Sequence, residues 1–86
     1  MRIRWEADAW AEYVGWQSDK ATLKRINLLI RDIQRSPFAG IGKPEPLKHQ
    51  LSGYWSRRID DEHRLVYRVE NDEITIAQCG GHYSPH

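Results

Sequence analysis

An α+β fold is expected for this 86-residue chain from three observations. An apolar stripe at helical spacing runs through the first half. The apolar period switches from 3.6 to 2 beyond residue 47. Two short acidic turns then divide the second half into three strands. A short strand, two helices and a three-stranded C-terminal meander imply two helices packed on one face of an antiparallel sheet. At this length there is room for one domain, residues 1–86, burying somewhat more than about 60% of its unfolded surface.

Arg2 to Trp5 is the short first strand. Trp10, Tyr13, Val14 and Gln17 then fall on one helical face, with Gly15 weakening the last turn. Ser18 is the expected N-cap of a second helix, whose stripe is Leu23, Ile26, Leu29, Ile30 and Ile33. Both stripes are assigned to the core. Pro37 closes the second helix at about Arg35 or Ser36. Phe38 to Leu47, with Gly40, Gly42, Pro44 and Pro46, reads as an ordered loop with little regular structure. Tyr54 to Ile59, His63 to Val69 and Glu73 to Cys79 are the three strands of the meander. Asp60-Asp61-Glu62 and Glu70-Asn71-Asp72 are its turns.

Composition narrows the class of protein. One cysteine, Cys79, allows no intramolecular disulfide, the N-terminus lacks a signal-like apolar stretch, and no run is long enough to span a membrane. A soluble cytoplasmic protein without membrane contact is therefore expected. The net charge of +1 is unevenly spread. Residues 20 to 58 hold nine basic groups against two acidic ones, +7, and the rest hold four against ten, −6. A basic block of this kind suits a polyanion.

The polar residues Glu45, Lys48, Arg57, Arg58, Arg64 and the pair His82-Tyr83 supply the groups that metal-free RNA cleavage requires. These are a base for a hydroxyl, cations for a phosphate and an acid for the leaving oxygen. Glu45 lies between two prolines that stiffen its backbone, although an exposed acid in a turn would look the same. Strand alternation puts Arg64 and Arg68 on the face away from the helices and sends Arg57 and Arg58 to opposite faces. At most one of that pair can join Arg64. Arginines and tyrosines on such a face could hold a phosphate and stack a base; equally, they could pair with Glu62, Glu70 or Asp72 across the turns. Cys79, His82 and His86 resemble half of a zinc site, but the other half is missing, so no metal is assigned.

Longer motifs then come into view. They are Gly42-Lys-Pro-Glu-Pro-Leu-Lys-His49, Leu51-Ser-Gly-Tyr-Trp-Ser-Arg-Arg-Ile59, Glu62-His-Arg-Leu-Val-Tyr67 and the closing His82-Tyr83. With Trp5, Trp10, Tyr13, Trp16-Gln17, Asp19-Lys20 and Arg35-Ser-Pro-Phe38, they resemble the YoeB (Txe) toxins of the RelE/ParE superfamily over nearly the whole chain. That resemblance implies a RelE-like fold and the toxin of a type II toxin-antitoxin pair. It implies an mRNA interferase, a ribosome-dependent endoribonuclease that cleaves messenger RNA in the A site and inhibits growth. By position, Glu45 matches the general base, Arg64 the transition-state arginine and His82 the general acid. Lys48 and Arg58 match phosphate-binding cations, and Tyr83 a tyrosine that contacts the RNA. No cofactor is implied. The implied partners are a YefM-like antitoxin, the ribosome and its message, with a homodimer possible. The sister ParE group suggests the alternative, a non-catalytic binding toxin or co-repressor. Relatives often carry an arginine where this chain has Gly80, and commonly stop at the tyrosine that Ser84-Pro85-His86 follows here.

Overall fold

The computed structural model describes residues 1–82, apart from the side chains of residues 81 and 82. Its elements in order are β1 (Arg2–Trp5), α1 (Ala7–Gly15), α2 (Lys20–Arg35), β2 (Glu45–Pro46), β3 (Trp55–Arg58), β4 (His63–Glu70) and β5 (Glu73–His82). The five strands form one sheet in the order β1-β5-β4-β3-β2. β3, β4 and β5 are the expected antiparallel meander. Asn71 and Asp72, at φ 53° and 60°, turn β4 into β5 as a two-residue hairpin whose positive φ values follow the right-handed strand twist.

The sheet is mixed rather than wholly antiparallel. β1 runs parallel to β5, with Ile3 opposite Ile74 and Trp5 opposite Ile76. Parallel neighbours need a long connection, and most of the chain separates these two. The segment expected to be irregular also contributes a strand, since Glu45 and Pro46 pair with Ser56 and Trp55. Pro46 is tolerated because β2 is an edge strand and its missing N–H leaves no gap in an interior ladder.

Asp19, not Ser18, caps α2. Its Oδ1 accepts from the Thr22 amide at 3.1 Å and its Oδ2 from the Thr22 hydroxyl at 2.8 Å. These bonds hold the Asp19 carboxyl below its ordinary range. Trp16–Ser18 form a 3₁₀ turn instead. The carboxylate wins because it also meets the positive end of the helix.

The core lies between the sheet and the helices. Ile26, Leu29 and Ile33 of α2 meet Leu65, Tyr67, Ile74, Ile76 and Cys79, with Ala9 from α1. The expected α1 stripe is out by about one position. Ala9 is buried and Tyr13 and Trp16 pack against the cluster, whereas Trp10 and Val14 are 49% and 48% exposed. A nine-residue helix offers too few turns for periodicity to fix its inward face. The Cys79 thiol is buried, and burial, aided by the Glu12 carboxylate, pushes it up to about 12. Among the described residues no helix is long and apolar enough to cross a membrane.

Candidate active site on the open sheet face

Since Leu65 and Tyr67 face the helices, their neighbours Arg64, Val66 and Arg68 face the other way. The strand registers then show what shares that face. Glu45, Ser56, Val66 and Gln78 stand opposite one another in a row across β2, β3, β4 and β5. Arg58 and Arg64 form the next row. Glu45 is thus a diagonal neighbour of Arg58, about 7–8 Å away along the sheet. A carboxylate and two guanidinium groups come together on one surface, drawn from three strands.

Arg57 and Arg58, as alternation requires, part company. Arg57 is fully buried on the helix side, and each of its five N–H donors has an acceptor. Nε donates to the Tyr67 hydroxyl at 3.2 Å, Nη1 to Asp32 Oδ2 at 2.5 Å and to the Ile41 carbonyl at 3.0 Å. Nη2 donates to the carbonyls of Ser36 at 2.6 Å and Ala39 at 3.0 Å. Tyr67 in turn donates to the Pro37 carbonyl at 2.6 Å, and Asp32 Oδ2 accepts from the Ile41 amide at 3.0 Å. The hydrogen bond from Arg57 holds the Asp32 carboxyl well below its usual range, while burial raises the Tyr67 phenol. The segment between α2 and β2 is therefore gripped at four carbonyls.

That grip is what delivers Glu45. Gly40 (φ +127°) leaves no room for a Cβ, which would sit 2.0 Å from Asp32 Oδ2, and Gly42 (φ +81°) is pressed against Leu29 and Arg57. The Gly42 carbonyl accepts from the Arg58 amide at 2.7 Å, and the chain then runs into β2. Glu45 itself is exposed.

Arg64 is half-buried and held by one arm of its guanidinium, with Nη1 donating to the Asp60 carbonyl at 3.0 Å and to the His63 carbonyl at 3.2 Å. Arg58 is exposed, and its own carbonyl accepts from Arg25 at 3.2 Å. Lys48 is exposed just before the 3₁₀ turn His49–Leu51, at the rim and not in either row. The backbone of His82 stands opposite His63, next to Arg64 along β4. The side chain of His82, and Tyr83 altogether, lie outside the described residues.

Three supporting residues had no site role in the sequence reading. Asp60 accepts from the amides of Glu62 and His63 and from the His63 ring Nδ1 at 2.9 Å, which shapes the turn before Arg64. Burial raises the Asp60 carboxyl, but the His63 ring and the two amides outweigh it and hold the group below its ordinary range. Trp16 meets His63 edge-on at 5.0 Å and donates its indole N–H to the Cys79 carbonyl at 2.9 Å. Gly80 (φ +88°) lies under that indole, where a Cβ would fall 2.7 Å from the ring. The Asp-x-x-His spacing across a turn was the available signal for Asp60 and His63; Trp16 was marked only as part of the family motif with Gln17.

Comparison with known proteins identifies the family to which the whole chain is similar. A family model described as YoeB-like toxin of bacterial type II toxin-antitoxin system matches residues 5–83. Toxin YoeB of Escherichia coli strain K12 is 56% identical over 84 residues, covering 96% of this chain and all of that protein. Among solved structures, a YoeB/ParE toxin from Agrobacterium tumefaciens superposes with a TM-score of 0.92 at 49% identity, covering 96% of this chain and 100% of the other. YoeB of Staphylococcus aureus, solved both as a heterotetramer with YefM and as a dimer, superposes with a TM-score of 0.88 at 47% identity over 96% and 98%.

Proposed function

This chain belongs to the YoeB-like toxins of bacterial type II toxin-antitoxin systems, and from that premise we propose that it is a ribosome-dependent endoribonuclease cutting messenger RNA in the A site. The observation that carries the reading is the row of Arg58 and Arg64 beside Glu45 on the open face.

In the proposed reaction the Glu45 carboxylate takes the proton of a ribose 2′-OH, whose oxygen attacks the adjacent phosphorus. A 2′,3′-cyclic phosphate forms and the bond to the 5′-oxygen breaks. Arg64 and Arg58, with Lys48 at the rim, stabilise the charge that builds on the non-bridging oxygens. Guanidinium groups suit this role because their planar fork matches phosphate oxygens. His82 protonates the departing 5′-oxygen, and Tyr83 contacts the RNA. DNA has no 2′-OH and is not a substrate of this step. The cationic side chains supply the electrostatics, so the step is routed through no cofactor.

By analogy with the S. aureus protein solved with YefM, the partner is a YefM-like antitoxin, and the toxin can pair with a second copy. The toxin acts in the cytoplasm. The basic block between residues 20 and 58 offers charge to an acidic, partly disordered antitoxin segment that folds on binding.

Inducible expression with and without the antitoxin, followed by mapping message ends on ribosomes, tests the proposal. New ends inside the A-site codon are expected only when the antitoxin is absent. Growth arrest with intact messages and blocked gyrase would instead establish the binding-toxin alternative.

A further inference from the structure

Two buried polar atoms among the described residues have no hydrogen-bond partner, Nε of Arg68 and Oε1 of Gln78. Buried donors and acceptors are nearly always paired, so two orphans call for an explanation. They are not scattered. Gln78 stands opposite Val66, and Arg68 is two residues further along the same strand, so the two side chains are diagonal neighbours on one face. One lacks an acceptor and the other a donor.

This is the face that carries Glu45, Arg58 and Arg64, and Gln78 ends the row that begins with Glu45. Arg64 and Arg68 are four residues apart on β4, which is about 13 Å along a strand. Arg68 is also restrained, with its guanidinium 5.7 Å from the centre of the Tyr54 ring. That contact lowers the entropy lost when its donor is engaged.

We propose, resting on the reading of this face as an RNA site, that Arg68 and Gln78, braced by Tyr54, form a nucleobase subsite for a nucleotide near the scissile phosphate. A base edge carries an acceptor beside a donor and satisfies both orphans at once. A phosphate offers no donor. It also meets Glu70 and Glu73, which line the adjoining hollow with Arg68, and Glu73 is already 3.9 Å from Arg4. The occupant is thus the neutral edge of an unstacked base, the part of single-stranded RNA that carries sequence.

The test titrates ¹⁵N-labelled protein with AMP, GMP, CMP and UMP and follows the Gln78 side-chain amide and the Arg68 Nε–H. Both signals move with at least one nucleotide, Gln78→Leu removes the response, and Glu45→Gln keeps it while cleavage falls by about 10² to 10⁴. Silence from both groups at about 10 mM of every nucleotide overturns the subsite. In message-end mapping, Gln78→Leu flattens the base preference at one position beside the cut by about tenfold while cutting continues. Unchanged preference and rate in that variant also overturn it. If wild-type protein cuts nothing yet Gln78 and Arg68 respond to nucleotides, the subsite stands and the nuclease reading falls.

Discussion

Arg58 and Arg64 face each other directly across β3 and β4. Like charges at opposed positions of an antiparallel pair destabilise it, by a few tenths to about 1 kcal/mol. A bound anion relieves this repulsion, so inorganic phosphate should raise the Tm of wild-type protein more than that of Arg58→Gln or Arg64→Gln. Equal shifts in all three proteins, measured by thermal denaturation with phosphate at constant ionic strength, would remove the phosphate site from this row.

Glu45→Gln and His82→Ala should each lower ribosome-dependent cleavage by about 10² to 10⁴, the usual contribution of a general base or acid. Because Glu45 is exposed, the first variant should keep wild-type stability. Single-turnover cleavage of a programmed ribosome measures the loss. A fall below tenfold for Glu45→Gln would mean that another group takes the 2′ proton.

Arg57 contributes structure where Arg58 is offered to substrate. Removing Asp32 as Asp32→Ala leaves the buried Arg57 guanidinium without its counter-charge and should lower stability. Tyr67→Phe removes one bridge to the Pro37 carbonyl and should cost about 1–3 kcal/mol. Urea denaturation reads both, and hydrogen exchange at the Ile41 amide should quicken in each. Unaltered exchange there would show that the segment leading to Glu45 is held by something other than this cluster.

The depressed carboxyl of Asp32 ties stability to pH on the acid side. Its folded pKa lies below its unfolded one, so its contribution is fully present above the unfolded value, near 4, and is lost as pH falls through the folded value. Asp60 adds in the same sense. The free energy of unfolding should therefore drop below about pH 4, and the drop should be shallower in Asp32→Asn. An identical slope in wild type and variant, followed by circular dichroism, would assign acid sensitivity elsewhere.

Gly80 cannot be exchanged for a larger residue without rearrangement. Its φ of +88° alone penalises a side chain by roughly 1–2 kcal/mol, and the Trp16 indole occupies the place of the Cβ. Gly80→Ala should lower stability by at least that amount. Trp16→Ala combined with Gly80→Ala should cost less than the two changes summed, because the second no longer meets the ring. Strict additivity would show that the clash is absent.

Much of this molecule is legible in residue order, because local periodicity is a local property. The 3.6-period stripe of α2 and the period-2 alternation of the meander marked the elements, and the same alternation separated Arg57 from Arg58 before any contact was known. The motifs around Glu45, Arg64 and His82 marked the family. What periodicity could not carry were the pairings between distant segments. The parallel seating of β1 on β5, Glu45 opposite Ser56, the capture of Arg57 by Asp32 and the inward face of short α1 each depend on which surfaces meet once the core closes. Burial made those choices: the apolar faces had to join, and the polar groups carried in with them had to find the partners that the fold left within reach.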